Sequence, residues 1–196
     1  ANGDAAADML IKAVKDADIT SDHRTIMIHA QTVREDQLDQ MNELKIIPSY
    51  FSTHTFYWGD WHRDSVFGQD RAMRISPTKS TLNRKMPFTV HNDAPVVPPD
   101  MIRLLWSTTN RKTRSGKVLG EEQKISTYEA LKAITINAAY QHFEDDIKGT
   151  IEVGKLADLV VLSENPLSMK TQDLLNLSIV ATYSHGQKIY QATSEK

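Results

Sequence analysis

The sequence predicts an α/β fold with parallel strands, followed by a small β-rich tail. Three observations predict it. Over residues 1–148, short β-branched apolar runs alternate with segments of helical periodicity. Polar residues able to do chemistry stand directly after those runs, where parallel α/β folds place their ligand sites. Over residues 149–196 the texture changes to short strands separated by turns.

Taken in order, Asp4 is placed to cap a helix whose apolar residues Met9, Leu10, Ala13, Val14 and Ala17 recur at helical spacing. Residues 25–28, Thr-Ile-Met-Ile, suit a strand buried on both faces and hence a parallel sheet. Glu35 and Asp36 carry the negative charge that a helix N-terminus favours, and Leu38, Met41 and Leu44 give that second helix its apolar stripe. Residues 46–51 read as a second strand. Pro48 has no N–H to donate, so pairing must start or be interrupted there. The polar and aromatic stretch 53–75 is longer than ordinary connections in compact domains, which predicts a functional loop with some local helix. Pro77 then opens a short helix through Asn83. Residues 88–90 make a third strand, ending in His91-Asn92-Asp93. This order implies parallel strands joined by right-handed crossovers, in an open sheet or in a piece of a barrel.

Beyond Asp93, Pro98 and Pro99 precede a helix carrying Met101, Leu104 and Leu105, and a polar, basic loop spans 110–120. Ser126 and Glu129 form a capping-box pattern before TYEALKAITINAAYQ, which reads as one helix. Strands are expected at 151–153, 159–162, 179–183 and 188–190, the last two joined by a turn at His185-Gly186.

Bulk properties exclude several classes. The chain has 196 residues, 40% of them apolar and 24% charged, so it can bury a sizeable core. A formal charge of -2 with scattered Lys and Arg gives no basis for binding nucleic acid. Without cysteine, any metal must be held by His, Asp or Glu. No apolar run reaches the roughly 20 residues that span a bilayer, so no membrane partner is expected. The start, Ala1-Asn2-Gly3-Asp4, has no initiator Met and does not read as a signal peptide. The sequence is therefore expected to be a piece of a longer chain. Its compartment stays open, with the cytoplasm favoured and the periplasm compatible.

Three residues stand at strand ends: His29 closes the first strand, His54 lies just past the second, and Asp93 closes the third. Imidazole suits zinc, iron, nickel or manganese, and a carboxylate beside such an ion serves as ligand or general base. Taken singly, each also has a plain structural role: a hydrogen-bonded histidine, or a turn-forming aspartate before Ala-Pro.

The segments IHAQTVREDQLDQM, SYFSTH, FGQDRAMR, HNDAPV, TYEALKAITINAAY and KGTIEVGKLADLVVLSENPL occur in this order. They resemble the C-terminal half of the amidohydrolase superfamily, in its YtcJ-like and N-substituted-formamide-deformylase-like branch. The resemblance runs from Ala1 to about Gln191. It implies strands six to eight of a metal-dependent hydrolase TIM barrel over 1–148, and part of a small β-sandwich over 149–196. Carried over by residue, it implies that His29 is the strand-six metal ligand and that His54 faces substrate. Asp93 is implied to contact the metal and to shuttle the proton of the attacking water. Arg71 matches a recurring arginine of the loop after strand seven, substrate-side or bracing. Trp58, with Phe56, Tyr57, Trp61 and Phe67 in the same loop, suggests an apolar or aromatic group on the substrate. The implied activity is metal-assisted hydrolysis of an amide-type or formamide-type C–N bond in a small molecule, with zinc the foremost metal.

Departures limit that implication. Asn92 replaces the usual serine before the strand-eight aspartate, and Ile28 replaces the usual glutamate before the strand-six histidine. The H-x-H of strand one, the Lys or Glu of strand four and the strand-five histidine are not in this sequence. The chain by itself is therefore expected to be inactive, without bound metal, dependent on a missing N-terminal part, and prone to self-association through open sheet edges. The competing expectation is a non-catalytic regulatory homologue of the exoenzyme-regulator type. Retention of His29, His54 and Asp93 favours the enzyme. An open-sheet nucleotide-binding domain is disfavoured, because no G-x-G-x-x-G follows a strand.

Overall fold

The computed structural model describes residues 1–193. Helix α1 (Asp4–Ala17) has Gly3 rather than Asp4 at its N-cap, and it buries Ala7, Ile11 and Val14. That stripe shares Val14 with the expected one and keeps Leu10 partly buried against the core, but it leaves Met9 exposed. β1 (Ile26–Ile28) follows, then α2 (Glu35–Glu43), which buries Leu38 and Met41, and β2 (Ile47–Tyr50). Next come α3 (His54–Trp61), a π-helical turn His62–Val66, α4 (Gly68–Met73), α5 (Thr78–Asn83) and β3 (Thr89–Val90).

The three strands form one parallel sheet in the order β1-β2-β3. Pro48 sits in the central strand, and the ladder shows why it is tolerated. Ile47 N–H donates to Thr25 O on the β1 side, so the next residue's nitrogen faces β3, and β3 pairs only from Ser49 onward. The missing donor therefore meets no acceptor. β1 is not buried on both faces as expected: Met27 is fully buried but Ile28 is 46% exposed. β1 lies at the edge of the sheet, and three strands leave the Ile28 face uncovered.

The stretch 53–75, expected as a loop with some helix, is helical over most of its length. Its aromatic and polar residues fall on all sides, so no single apolar face announces it. α6 (Met101–Asn110) is capped by Asp100, which accepts from Arg103 N–H at 2.9 Å. Its Leu104 and Leu105 enter the core with Leu38, Met41, Tyr50 and Phe88. The expected single helix after Ser126 is two, α7 (Thr127–Ile134) and α8 (Ile136–Gln141), broken at Thr135. The Thr135 hydroxyl donates back to Leu131 O, and the Asn137 side chain, in the first turn of α8, donates to Phe88 O beside β3.

The tail holds β4 (Leu159–Leu162), β5 (Ile179–Ser184) and β6 (Gln187–Gln191) in one antiparallel sheet. His185 and Gly186, both at positive φ, make the hairpin turn. Residues 151–153 form no strand; Ile151 and Val153 are exposed, and no partner strand reaches them among the described residues. The three-stranded parallel sheet closes no barrel, and the tail contributes one three-stranded antiparallel sheet. Among the described residues no helix is long and apolar enough to cross a membrane.

Candidate functional site

Two strand ends build the site. After Ile28 the chain turns through His29 (φ 69°) and Ala30 (φ 44°), consecutive residues in the left-handed region. For side chains with a Cβ this costs about 1–2 kcal/mol each. Such strain collects where a side chain must be aimed. Here Ala30 is buried and Gln31 O accepts from Ser76 N–H at 2.8 Å, so packing holds the bend. At the other strand end His91 N–H donates to Tyr50 O, extending the β2–β3 ladder, and Asp93 again takes positive φ (56°).

His29 Nε2 lies 3.9 Å from Asp93 Oδ2. His29 Nδ1 lies 3.3 Å from His91 Nε2. One ligand atom from each of His29, His91 and Asp93 falls within 4.8 Å of the others, and all three residues are partly exposed to solvent. Two bonds of about 2.1 Å at a tetrahedral angle span about 3.4 Å, so small side-chain rotations would let these atoms share one ion. Their nitrogen and oxygen donors are those that zinc and its neighbours accept.

Around this cluster lies a ring of aromatic side chains. The His54 ring is 5.7 Å from His29, 4.2 Å from Phe51, 5.7 Å from Trp58 and 5.6 Å from His62. Phe51 stacks on His91 at 5.7 Å. His54 Nδ1 is buried without a hydrogen-bond partner, a polar atom available to a ligand. Burial pushes His54 down to about 3, helped by His62 and His29, and pushes His91 down to about 4. Burial lowers His29 as well, against the opposing pull of Asp93, and it lowers His62. All four imidazoles are neutral at physiological pH. Each therefore keeps one nitrogen lone pair for a cation or a donor.

The structure thus brings His29, Asp93, His54 and Trp58 together and sets Arg71 apart. Arg71 donates to Asp4 on α1 at 3.3 Å, is about half exposed, and reaches the cluster only through Phe67, whose ring is 5.1 Å from His62. The loop aromatics divide too. Phe56 packs on Trp106 and under Arg103, away from His54, and Trp61 is largely exposed. Sequence reasoning passed over His91 and His62. His91 stands two residues before Asp93, the spacing that puts side chains on one side of an extended chain. His62 continues the i, i+4, i+8 series His54, Trp58, His62, a helical stripe hidden while the stretch was read as a loop.

A model of the amidohydrolase family matches residues 1–190. The chain is 26% identical over 193 residues to the N-substituted formamide deformylase of Arthrobacter pascens, covering 97% of this chain and 36% of the relative. It is 29% identical to the protein LONG AFTER FAR-RED 3 of Arabidopsis thaliana, covering 96% of this chain and 33% of that protein. Among solved structures, an uncharacterized metal-dependent hydrolase from Pyrococcus horikoshii superposes with a TM-score of 0.75 at 26% identity, over 87% of this chain and 34% of that one. The chain spans about a third of the length of each.

Proposed function

The chain belongs to the amidohydrolase family, and on that premise we propose that it carries one wall of a metal-assisted hydrolase centre. The reading rests on one observation: His29 Nε2 and Asp93 Oδ2 face each other at 3.9 Å from the ends of β1 and β3. His29, His91 and Asp93 would hold a divalent ion, zinc foremost. When bound, that ion supplies Lewis-acid polarisation of a carbonyl and acidifies water.

The chain's own side chains do the rest. The Asp93 carboxylate accepts a proton from the attacking water and returns it to the leaving nitrogen of an amide-type or formamide-type substrate. His54, neutral and with an unpartnered Nδ1, offers a hydrogen bond to the substrate, and Trp58 beside it offers an apolar wall. Arg71 stands at the outer edge, where it would meet an acidic substrate group only by releasing Asp4.

Coverage of about a third of each relative supports a further part of the reading. We propose that the remaining ligands come from other segments of a longer polypeptide, so that this chain by itself binds metal weakly and does not turn over. Zinc titration by calorimetry tests the site: binding should fall at least tenfold in His29→Ala and Asp93→Ala. Equal zinc binding by both variants and the wild type would refute the ligand assignment. Hydrolysis of N-formyl or N-acyl amines by the purified chain with zinc would refute the shared-site reading.

A further inference from the structure

The basic stretch 110–120 takes no part in the site described so far, yet it is held firmly against α3. It folds as a hairpin: Lys112 bridges Val118, Thr113 N–H donates to Lys117 O at 2.9 Å, and Gly116 N–H donates to Thr113 O at 3.0 Å. Its root is the buried Arg111, whose Nε donates to Leu119 O at 2.8 Å. On the α3 side Gly59 lets Thr113 approach, since a Cβ there would lie 2.8 Å from Thr113 Cγ2. Asp60 accepts from Ser115 N–H at 3.1 Å and from the Ser115 hydroxyl at 2.7 Å. Arg114 stands between these two anchored residues, so its backbone is fixed.

What the hairpin presents is a guanidinium on an aromatic surface. Arg114 Cζ lies 5.1 Å from the Tyr57 ring centroid and 5.9 Å from that of Phe56, and Arg103 of α6 lies over the same Phe56 ring at 4.7 Å. A ring contact holds the charge without giving its N–H groups an oxygen acceptor. Among the described residues the carboxylate nearest Arg103 is Asp100 at 4.0 Å, and its Oδ1 already caps α6; Arg114 has no carboxylate within that distance. Asp60 is engaged by Ser115 and by Arg63 at 3.2 Å. Two like charges on one ring repel, and an anion shared between them removes that repulsion. The patch also borders the proposed substrate wall: the Tyr57 ring is 5.5 Å from Trp58, which lies 5.7 Å from His54.

We propose that Arg114 and Arg103 form a rim that binds a carboxylate at the end of the substrate remote from the scissile bond. The inference rests on the proposed hydrolase site and adds a substrate class to it, amides that carry an acid. A guanidinium fork matches a carboxylate in two parallel hydrogen bonds. With Asp60 and Asp100 alongside, two arginines supply too little positive charge to track a nucleic acid backbone.

Arginine Nε–H NMR of the chain, titrated with the anilide of succinic acid and with the methyl ester of that compound, tests the rim without turnover. The acid should shift the Arg103 and Arg114 signals, assigned by their loss in Arg103→Gln and Arg114→Gln, and the ester should leave them in place. Acetate should shift them only at concentrations well above those of the acid, because it lacks the anilide that reaches toward Trp58. In a polypeptide with the complete ligand set, Arg114→Gln should raise KM for the acid about three- to tenfold more than KM for the ester. Added salt should shrink that difference. Arg114→Lys keeps the charge without the fork and should recover part of it. Arginine signals that ignore the acid, or KM changes equal for acid and ester, overturn the proposal. Acetate binding as tightly as the acid would make the rim a seat for free anions and overturn the substrate assignment. If the complete polypeptide cleaves neither compound, the hydrolase reading fails, while the NMR shifts still decide whether the rim binds a carboxylate.

Discussion

Arg111 Nη1 donates to Ser76 O at 3.0 Å, and this bond ties the end of α6 to the segment that leaves α4. The guanidinium is 1% exposed, and its other donors go to Ile75 O and Leu119 O, so carbonyl oxygens alone surround the charge. Ser76 N–H in turn donates to Gln31 O, two residues past His29. Burial pulls Arg111 down to about 10, which still leaves it charged at neutral pH. Replacing Arg111 with Met should strand three buried acceptors and cost about 3 kcal/mol or more. Arg111→Lys keeps a charge but not the planar fork, and should recover only part of that loss. Urea unfolding midpoints in the order wild type, Arg111→Lys, Arg111→Met check this; equal midpoints would show that the carbonyls find water instead.

Gly120 stands where the hairpin after Arg111 passes α4. A Cβ there would lie 2.0 Å from Met73 O, and φ is +74°. Gly116 shares the positive φ (+81°) but has open space around it. Gly116→Ala should therefore cost only the left-handed penalty of about 1 kcal/mol. Gly120→Ala should cost that amount plus a forced shift of the Met73 carbonyl. Thermal melting of the two variants separates strain from overlap, and a Gly120→Ala no worse than Gly116→Ala would mean that the loop moves freely.

What could be read from the residues, and what could not, follows physical lines. The parallel strands were legible because Ile26, Met27, Ile47 and Val90 are apolar in short runs, and the pairing of β1, β2 and β3 follows from their alternation with helices. His29, His54 and Asp93 were legible because strand ends carry chemistry. His91 was not, because its importance lies in a side-chain contact across two strands, with His29. Residues 151–153 read as a strand from β-branched content, but a strand needs a neighbour, and none among the described residues pairs with it. The break at Thr135 has the same origin. Helix propensity sees TYEALKAITINAAYQ as continuous, whereas the bond from Asn137 to Phe88 O is tertiary.

Arg24 predicts how the fold responds to acid. Its guanidinium lies over the Tyr140 and Phe143 rings at 3.9 and 4.3 Å and donates to Asp145 at 2.6 Å, joining the start of β1 to the turn after α8. The hydrogen bond from Arg24 holds the Asp145 carboxyl below its ordinary value. A carboxyl depressed in the folded state stabilises fully above its unfolded pKa of about 3.9, and that contribution is lost as pH falls through the folded value. Asp145→Asn should therefore be less stable than wild type near neutrality, and the gap should close below about pH 4. Denaturant unfolding of both proteins across that range measures the gap; a gap independent of pH would remove the ion pair as its cause.

Trp58 and Trp61 lie one turn apart on α3 and should behave differently. The Trp58 ring packs edge-on against Phe51 at 6.0 Å and against His54 at 5.7 Å, inside the aromatic ring around His29. Trp61 is 57% exposed and touches the cluster only through the outer side of His62. Truncating a well-packed tryptophan costs about 3–5 kcal/mol. An exposed one falls within about 0.5 kcal/mol of neutral. Trp58→Ala should therefore destabilise the chain by roughly 2–3 kcal/mol, less than the full core value because its ring is only partly buried. In a polypeptide with the complete ligand set, the same change should raise KM for an N-acyl amine bearing an aromatic group more than for one bearing a methyl group. Trp58→Phe, which keeps a ring against His54, should restore the preference. Equal KM changes for the two substrates would mean that Trp58 packs the helix and does not touch the substrate.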